Sequence, residues 1–167
     1  KTPVMVMDYC TRSSAERCAR TAIAQVPKDW LANGVDVYAH SFGGLVAIEA
    51  YRQGLPVRQL VSTESPFGGT SLAKAAWLVH LDSPAIEDMK PESEQIRRIQ
   101  NLSDYPRIVT IGKGACFLMS RDSYESLGKK RYRLSAGVIT SPTAHHQMPN
   151  DPLVVRTVIR ELEGSGP

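Results

Sequence analysis

The sequence predicts an α/β fold: a mainly parallel sheet with helices on both faces. Two observations predict it. Short apolar runs alternate with helical stretches from one end of the chain to the other. The runs themselves are of the kind found in strands buried on both faces. There is neither an internal repeat nor a composition shift that would mark a second domain, so residues 1–167 are read as one domain.

Val4-Met5-Val6-Met7 is the first expected strand. Ser13 and Glu16 then stand at capping-box spacing. Ala15, Cys18, Ala19, Ala22, Ile23 and Val26 follow on one helical face, and Pro27 is expected to stop that helix. Val35 to Ala39 is the second strand, with a helix from about Gly43 to Arg52 behind it. Gln59–Thr63, Arg107–Gly112 and Arg131–Ile139 are the remaining strands. Asp151 opens a closing helix with Val154, Val155, Val158, Ile159 and Leu162 on one side, and the last four residues read as a frayed tail. Residues 64–105 form an excursion too long for a plain loop, and 71–105 is expected to be a small helical lid.

Composition excludes several classes. With 42% hydrophobic and 22% charged residues the chain reads as an ordinary soluble globular protein. The net charge of +3 is scattered, and its one cluster, Lys129 to Arg133, reads as a solvated turn entering a strand. A nucleic-acid surface needs more charge of one sign and stacking aromatics. No run approaches the ~18–20 apolar residues of a membrane span. Cys10, Cys18 and Cys116 show no metal-ligand spacing. A Cys10–Cys18 bridge in a secreted protein and three reduced thiols in the cytoplasm are equally compatible with the count. The chain starts on Lys1, which suits a processed form or a fragment. Oligomeric state leaves no mark in the sequence.

The sharpest chemical signal is Ala39-His40-Ser41-Phe42-Gly43-Gly44, between a strand and a helix. A serine there sits on a tight turn with its hydroxyl above the sheet, and small residues at 39 and 43 let strand and helix approach. The Phe42 amide, at the helix start, is an expected oxyanion donor. The second signal is Ala144-His145-His146, after the last strand and before the last helix. A serine hydroxyl is a poor nucleophile at neutral pH and needs an imidazole within reach. Either histidine meets that need, and two adjacent ones cannot both face the site.

These segments resemble bacterial triacylglycerol lipases and related esterases of the α/β-hydrolase superfamily. Val35 to Gly44 looks like their nucleophile elbow, and Val61-Ser62-Thr63-Glu64-Ser65-Pro66-Phe67-Gly68-Gly69-Thr70 like the segment after the next strand. Asp88 through Ile99 resembles the string at the end of their lid, and Ala144-His145 to Val154 their catalytic-histidine loop. The resemblance implies a carboxylic-ester hydrolase with Ser41 as nucleophile and His145, rather than His146, as base. It implies a small ester or lipid substrate and no metal or organic cofactor.

Two places depart from the pattern. Cys116 stands where the family carries its acid. Asp122, six residues on, is then the expected acid, and Glu64 is the alternative, because some relatives place theirs after that earlier strand. The His-Gly loop that supplies the second oxyanion amide has no counterpart. Either the earlier strands lie outside this chain, or Val4–Met7 takes over and the amides near Tyr9 and Cys10 complete the hole. These departures keep a second reading open, a non-enzymatic binding or regulatory protein on the same fold.

Overall fold

The apolar runs from Val35 onward supply parallel strands lying side by side in chain order. A computed structural model describes residues 3–71, 73, 82–112, 123, 126–127, 130–134 and 142–164. Among these, β1 (Val35–His40), β2 (Val57–Thr63), β3 (Arg107–Gly112) and β4 (Lys130–Arg133) form one sheet in the order β1-β2-β3-β4, every neighbouring pair parallel. The helices are α1 (Ala15–Ile23), α2 (Lys28–Asn33), α3 (Phe42–Arg52), α4 (Pro84–Asp88), α5 (Glu94–Gln100), α6 (Pro142–Gln147) and α7 (Pro152–Glu163), with a 3-10 turn at Met148–Asn150.

Side chains alternate across a strand, so consecutive residues serve opposite layers. Leu60 and Ile108 join Leu45, Ile48, Ile96 and Ile99 in the core under α1, α3 and α5. Their successors Val61 and Val109 join Ile111, Met148, Val154 and Val158 under α7. All four of these strand residues are at most 1% exposed. Both faces of the sheet are therefore covered, the condition a parallel sheet requires.

The register fixes where the strands end. His40 pairs with Thr63, and Thr63 with Ile111, so the carboxyl ends of β1, β2 and β3 form one rim. At the other side of the chain Asp151 caps α7 by accepting from the Leu153 and Val154 amides, with Pro152 in the first turn. Lys130, Arg131 and Arg133 of the basic cluster are exposed on a strand, as expected, and the cluster also reaches the buried Glu161. Lys130 Nζ lies 2.9 Å from Oε1 of the buried Glu161, and the Tyr132 hydroxyl donates to the same oxygen.

Several expectations are corrected. Residues 3–10 form no strand: Met5, Met7 and Tyr9 pack on the core while Val4 and Val6 are each 87% exposed. The run alternates like a strand but has no ladder partner among the described residues, and a strand needs one. The cap of α1 is Ser14, whose hydroxyl accepts from the Arg17 amide, and not Ser13. The helix ends at Ile23, and Pro27 opens the unforeseen α2 instead of closing α1. Cys10 and Cys18 are free thiols, with Cys18 Sγ donating to the Cys10 carbonyl at 3.2 Å.

Within 71–105, Ile96 and Ile99 of α5 are at most 1% exposed and pack in the core. Asp88, at the end of α4, accepts from the Ala15 amide at 2.6 Å and so holds the start of α1. Residues 72 and 74–81 of the expected lid lie outside the described residues, as do Cys116 and Asp122.

Candidate active site at the strand ends

Ser41 follows β1 directly and precedes α3, with φ 53° and ψ −129°. A side-chain-bearing residue with positive φ costs about 1–3 kcal/mol and persists only where its surroundings over-determine it. Here its amide donates to the Thr63 carbonyl at 2.9 Å, and its carbonyl accepts from the Gly44 amide at 3.0 Å. One bond ties Ser41 to the neighbouring strand and the other to its own helix.

The tightest glycine of this turn is Gly44. A Cβ there would stand 2.1 Å from Ser65 Oγ and 2.3 Å from Ser65 Cβ. At Gly43 a Cβ would meet only the tip of Tyr9, 3.3 Å from its hydroxyl, and Ala39 Cβ at 3.8 Å. The close approach expected between positions 39 and 43 is thus milder than the one between α3 and the segment after β2.

Glu64 repeats the pattern one strand over. It follows β2, has φ 45°, and its amide donates to the Ile111 carbonyl at 3.1 Å. Ser41 and Glu64 are the only positive-φ non-glycine residues among those described, and they stand at adjacent positions on the rim.

His145 comes from α6 and is 1% exposed. Its Nδ1 lies 2.8 Å from Oε2 of the fully buried Glu64. Its ring also packs on His40, with centroids 4.7 Å apart. His146 is exposed and meets His145 edge-on at 5.7 Å. Of the two histidines, then, His145 is the one inside. Between Ser41 and His145 there is no side-chain hydrogen bond among the described residues. Such bonds are often loose before substrate binds.

The Phe42 amide is the first of α3, where no intrahelical acceptor exists for it. The Tyr9 segment reaches the same turn through its hydroxyl. Burial, and then the nearby Cys18, push the Tyr9 phenol above its ordinary pKa, so it is protonated at neutral pH. Burial, then the neighbouring His145, push His40 down to about 4 against the opposing pull of Glu64. Among the described residues no group of three or more His, Cys, Asp or Glu is placed to hold a metal ion. No helix among them is long and apolar enough to cross a membrane.

Sequence reasoning named Ser41, His145, Phe42 and Glu64 and left His40 as a motif letter. Its only available signal was adjacency to Ser41. Asp122, the other carboxylate considered, lies outside the described residues.

A parallel sheet covered by helices in this way is also seen in solved structures. The monoacylglycerol lipase of Paleococcus ferrophilus matches over 90% of this chain and 74% of its own, with TM-score 0.57 and 11% identity. The fold is that of the α/β-hydrolases. Bacillus licheniformis lipase BlEst2 in its propeptide form matches this chain over 62% of its length, with TM-score 0.50 and 14% identity. The chain spans 27% of that form of BlEst2 and 50% of the mature form. At these identities the likeness speaks for the fold alone. No protein-family model and no curated protein sequence matches the chain.

Proposed function

We propose that this chain is a serine hydrolase cleaving carboxylic esters, with Ser41 as nucleophile, His145 as general base and Glu64 as the acid behind it. The observation that carries this reading is the buried 2.8 Å contact between Glu64 and His145 Nδ1 on the rim that also bears Ser41. A carboxylate in that place fixes the tautomer with its proton on Nδ1 and favours the imidazolium that forms when Nε2 takes a proton.

In the reaction, Ser41 Oγ attacks the ester carbonyl and its proton passes to His145 Nε2. The tetrahedral oxyanion is held by the Phe42 amide and by an amide of the Tyr9–Cys10 segment. His145 returns the proton to the leaving alkoxide as the C–O bond breaks, leaving an ester on Ser41. Water, deprotonated by His145, then attacks that ester, and the acid departs as Ser41 recovers its proton. The machinery uses no metal or organic cofactor. The α/β-hydrolase neighbours include a monoacylglycerol lipase, which makes acyl esters the first substrates to try.

The test is turnover of short p-nitrophenyl esters. Wild type is expected to hydrolyse them, and Ser41→Ala to lose about 10⁵–10⁶ in kcat. Asp122→Asn is expected to stay near wild type while Glu64→Gln falls steeply. A steep fall with Asp122→Asn and none with Glu64→Gln would move the acid to Asp122. A folded wild type without turnover would favour a binding role on the same fold.

A further inference from the structure

We propose that His40 is a positioning residue: its ring forms the wall that holds the His145 imidazole in the orientation that serves Ser41. This rests on the function proposed above and extends the site by one residue.

The geometry is specific. His145 is held at Nδ1 by Glu64, and a swing of the ring about that bond would move Nε2. The His40 ring, 4.7 Å away at 39°, blocks that motion on one side, while His146 borders the ring edge-on. His40 sits at the end of β1, whose register partner Thr63 immediately precedes Glu64. One pair of neighbouring strands therefore places the wall, the nucleophile and the acid together. Rings held by packing in this way keep a site within the small tolerance that catalysis needs.

The chemistry also suits a wall rather than a second base. His40 Nε2 is buried and has no hydrogen-bond partner among the described residues, so nothing there relays a proton. Among the described residues, the titratable groups facing His40 are His145 and His146 from α6 and Glu64 from the end of β2. A charged His40 would repel the imidazolium that His145 must become. Its depressed basicity keeps it neutral at any ordinary working pH, so it restricts the ring without opposing its charge.

The test compares His40→Ala with His40→Phe, which restores a flat ring without a titratable nitrogen. Two readouts are taken after melts establish that both variants fold. In ester hydrolysis, His40→Ala is expected to lose about 10–100-fold in kcat with KM within about twofold, and His40→Phe to recover most of it. In ¹H–¹⁵N spectra of the imidazoles, His145 is expected to show one tautomer in wild type and His40→Phe. In His40→Ala it is expected to show exchange-broadened or mixed tautomers. The inference is overturned if His40→Ala keeps both its kcat and a single tautomer. It is equally overturned if His40→Phe is as impaired as His40→Ala. Should wild type turn over no ester at all, the proposed function falls, and the imidazole spectra alone decide the role of His40.

Discussion

Two fully buried glutamates, Glu49 on α3 and Glu64 at the end of β2, show what separates a structural carboxylate from one suited to proton chemistry. Glu49 is gripped by permanent donors: Arg52 Nε at 2.9 Å, Arg52 Nη2 at 2.7 Å, Gln53 Nε2 at 2.8 Å and Gln95 Nε2 at 3.3 Å. Burial pushes its carboxyl up, but these hydrogen bonds outweigh burial and hold it below the ordinary value. Its charge is settled at every ordinary pH. Glu64 instead faces an imidazole, whose charge changes when it takes a proton. The backbones differ too. Glu49 lies mid-helix, whereas Glu64 has φ 45° at the sheet's carboxyl rim, where strain gathers at functional sites.

The largest effects separate the two directly. Glu64→Gln is expected to lower kcat by about 10³–10⁴ by removing the charge that stabilises the imidazolium. The acid limb of its rate profile should move to lower pH, because His145 becomes harder to protonate. Glu49→Ala is expected to leave kcat per folded molecule within about twofold. It should lower unfolding stability by about 2–3 kcal/mol, the worth of losing charge-assisted bonds to a buried group. Denaturant melts and active-site-titrated kinetics on both variants check the pair. Equal kinetic losses would erase the distinction.

A smaller effect sharpens the role of the rim. Gly44→Ala would force a methyl to within 2.1 Å of Ser65 Oγ, so α3 must shift against the segment that leads from Glu64. About 1–3 kcal/mol of stability should go, together with some kcat, because Ser41 begins the same helix. Gly43→Ala, which meets only the tip of Tyr9, should cost less in both measurements.

The smallest effect is in pH. A depressed carboxyl contributes stability above its unfolded value and loses it as pH falls through the folded one. Wild-type stability should therefore decline as pH drops below the unfolded glutamate value of about 4.3, and Glu49→Ala should decline less steeply there. His40 acts in the same sense. Its unfolded form takes a proton below about 6.5, while the folded form stays neutral until about 4, so stability falls across that window. His40→Phe should remove this part of the slope.

How far the sequence carried each feature follows from the range of the interactions. The Ser41 turn is local, a strand, a serine and two glycines within ten residues, and it stands where that pattern put it. The strands β1, β2 and β3 were legible because each lies on a short apolar run, although β2 begins two residues earlier than the run suggested, while the described β4 is the basic start of the expected Arg131–Ile139 strand. The partner of His145 was not legible from spacing. It depends on how β1 and β2 are aligned and on where α6 returns, 81 residues after Glu64. The run Val4–Met7 misled because an apolar stretch does not show whether a ladder partner exists. Pro27 misled because a proline that ends one helix also begins another well. That Ile96 and Ile99 pack in the core is a matter of tertiary packing, which their spacing does not show.

The most direct test of the account is to treat the folded protein with a fluorophosphonate and map the adduct by peptide mass spectrometry. The account predicts one stoichiometric adduct on Ser41, forming much more slowly in His145→Ala and in Glu64→Gln. An adduct on any other residue, or none on a folded wild type, would contradict it.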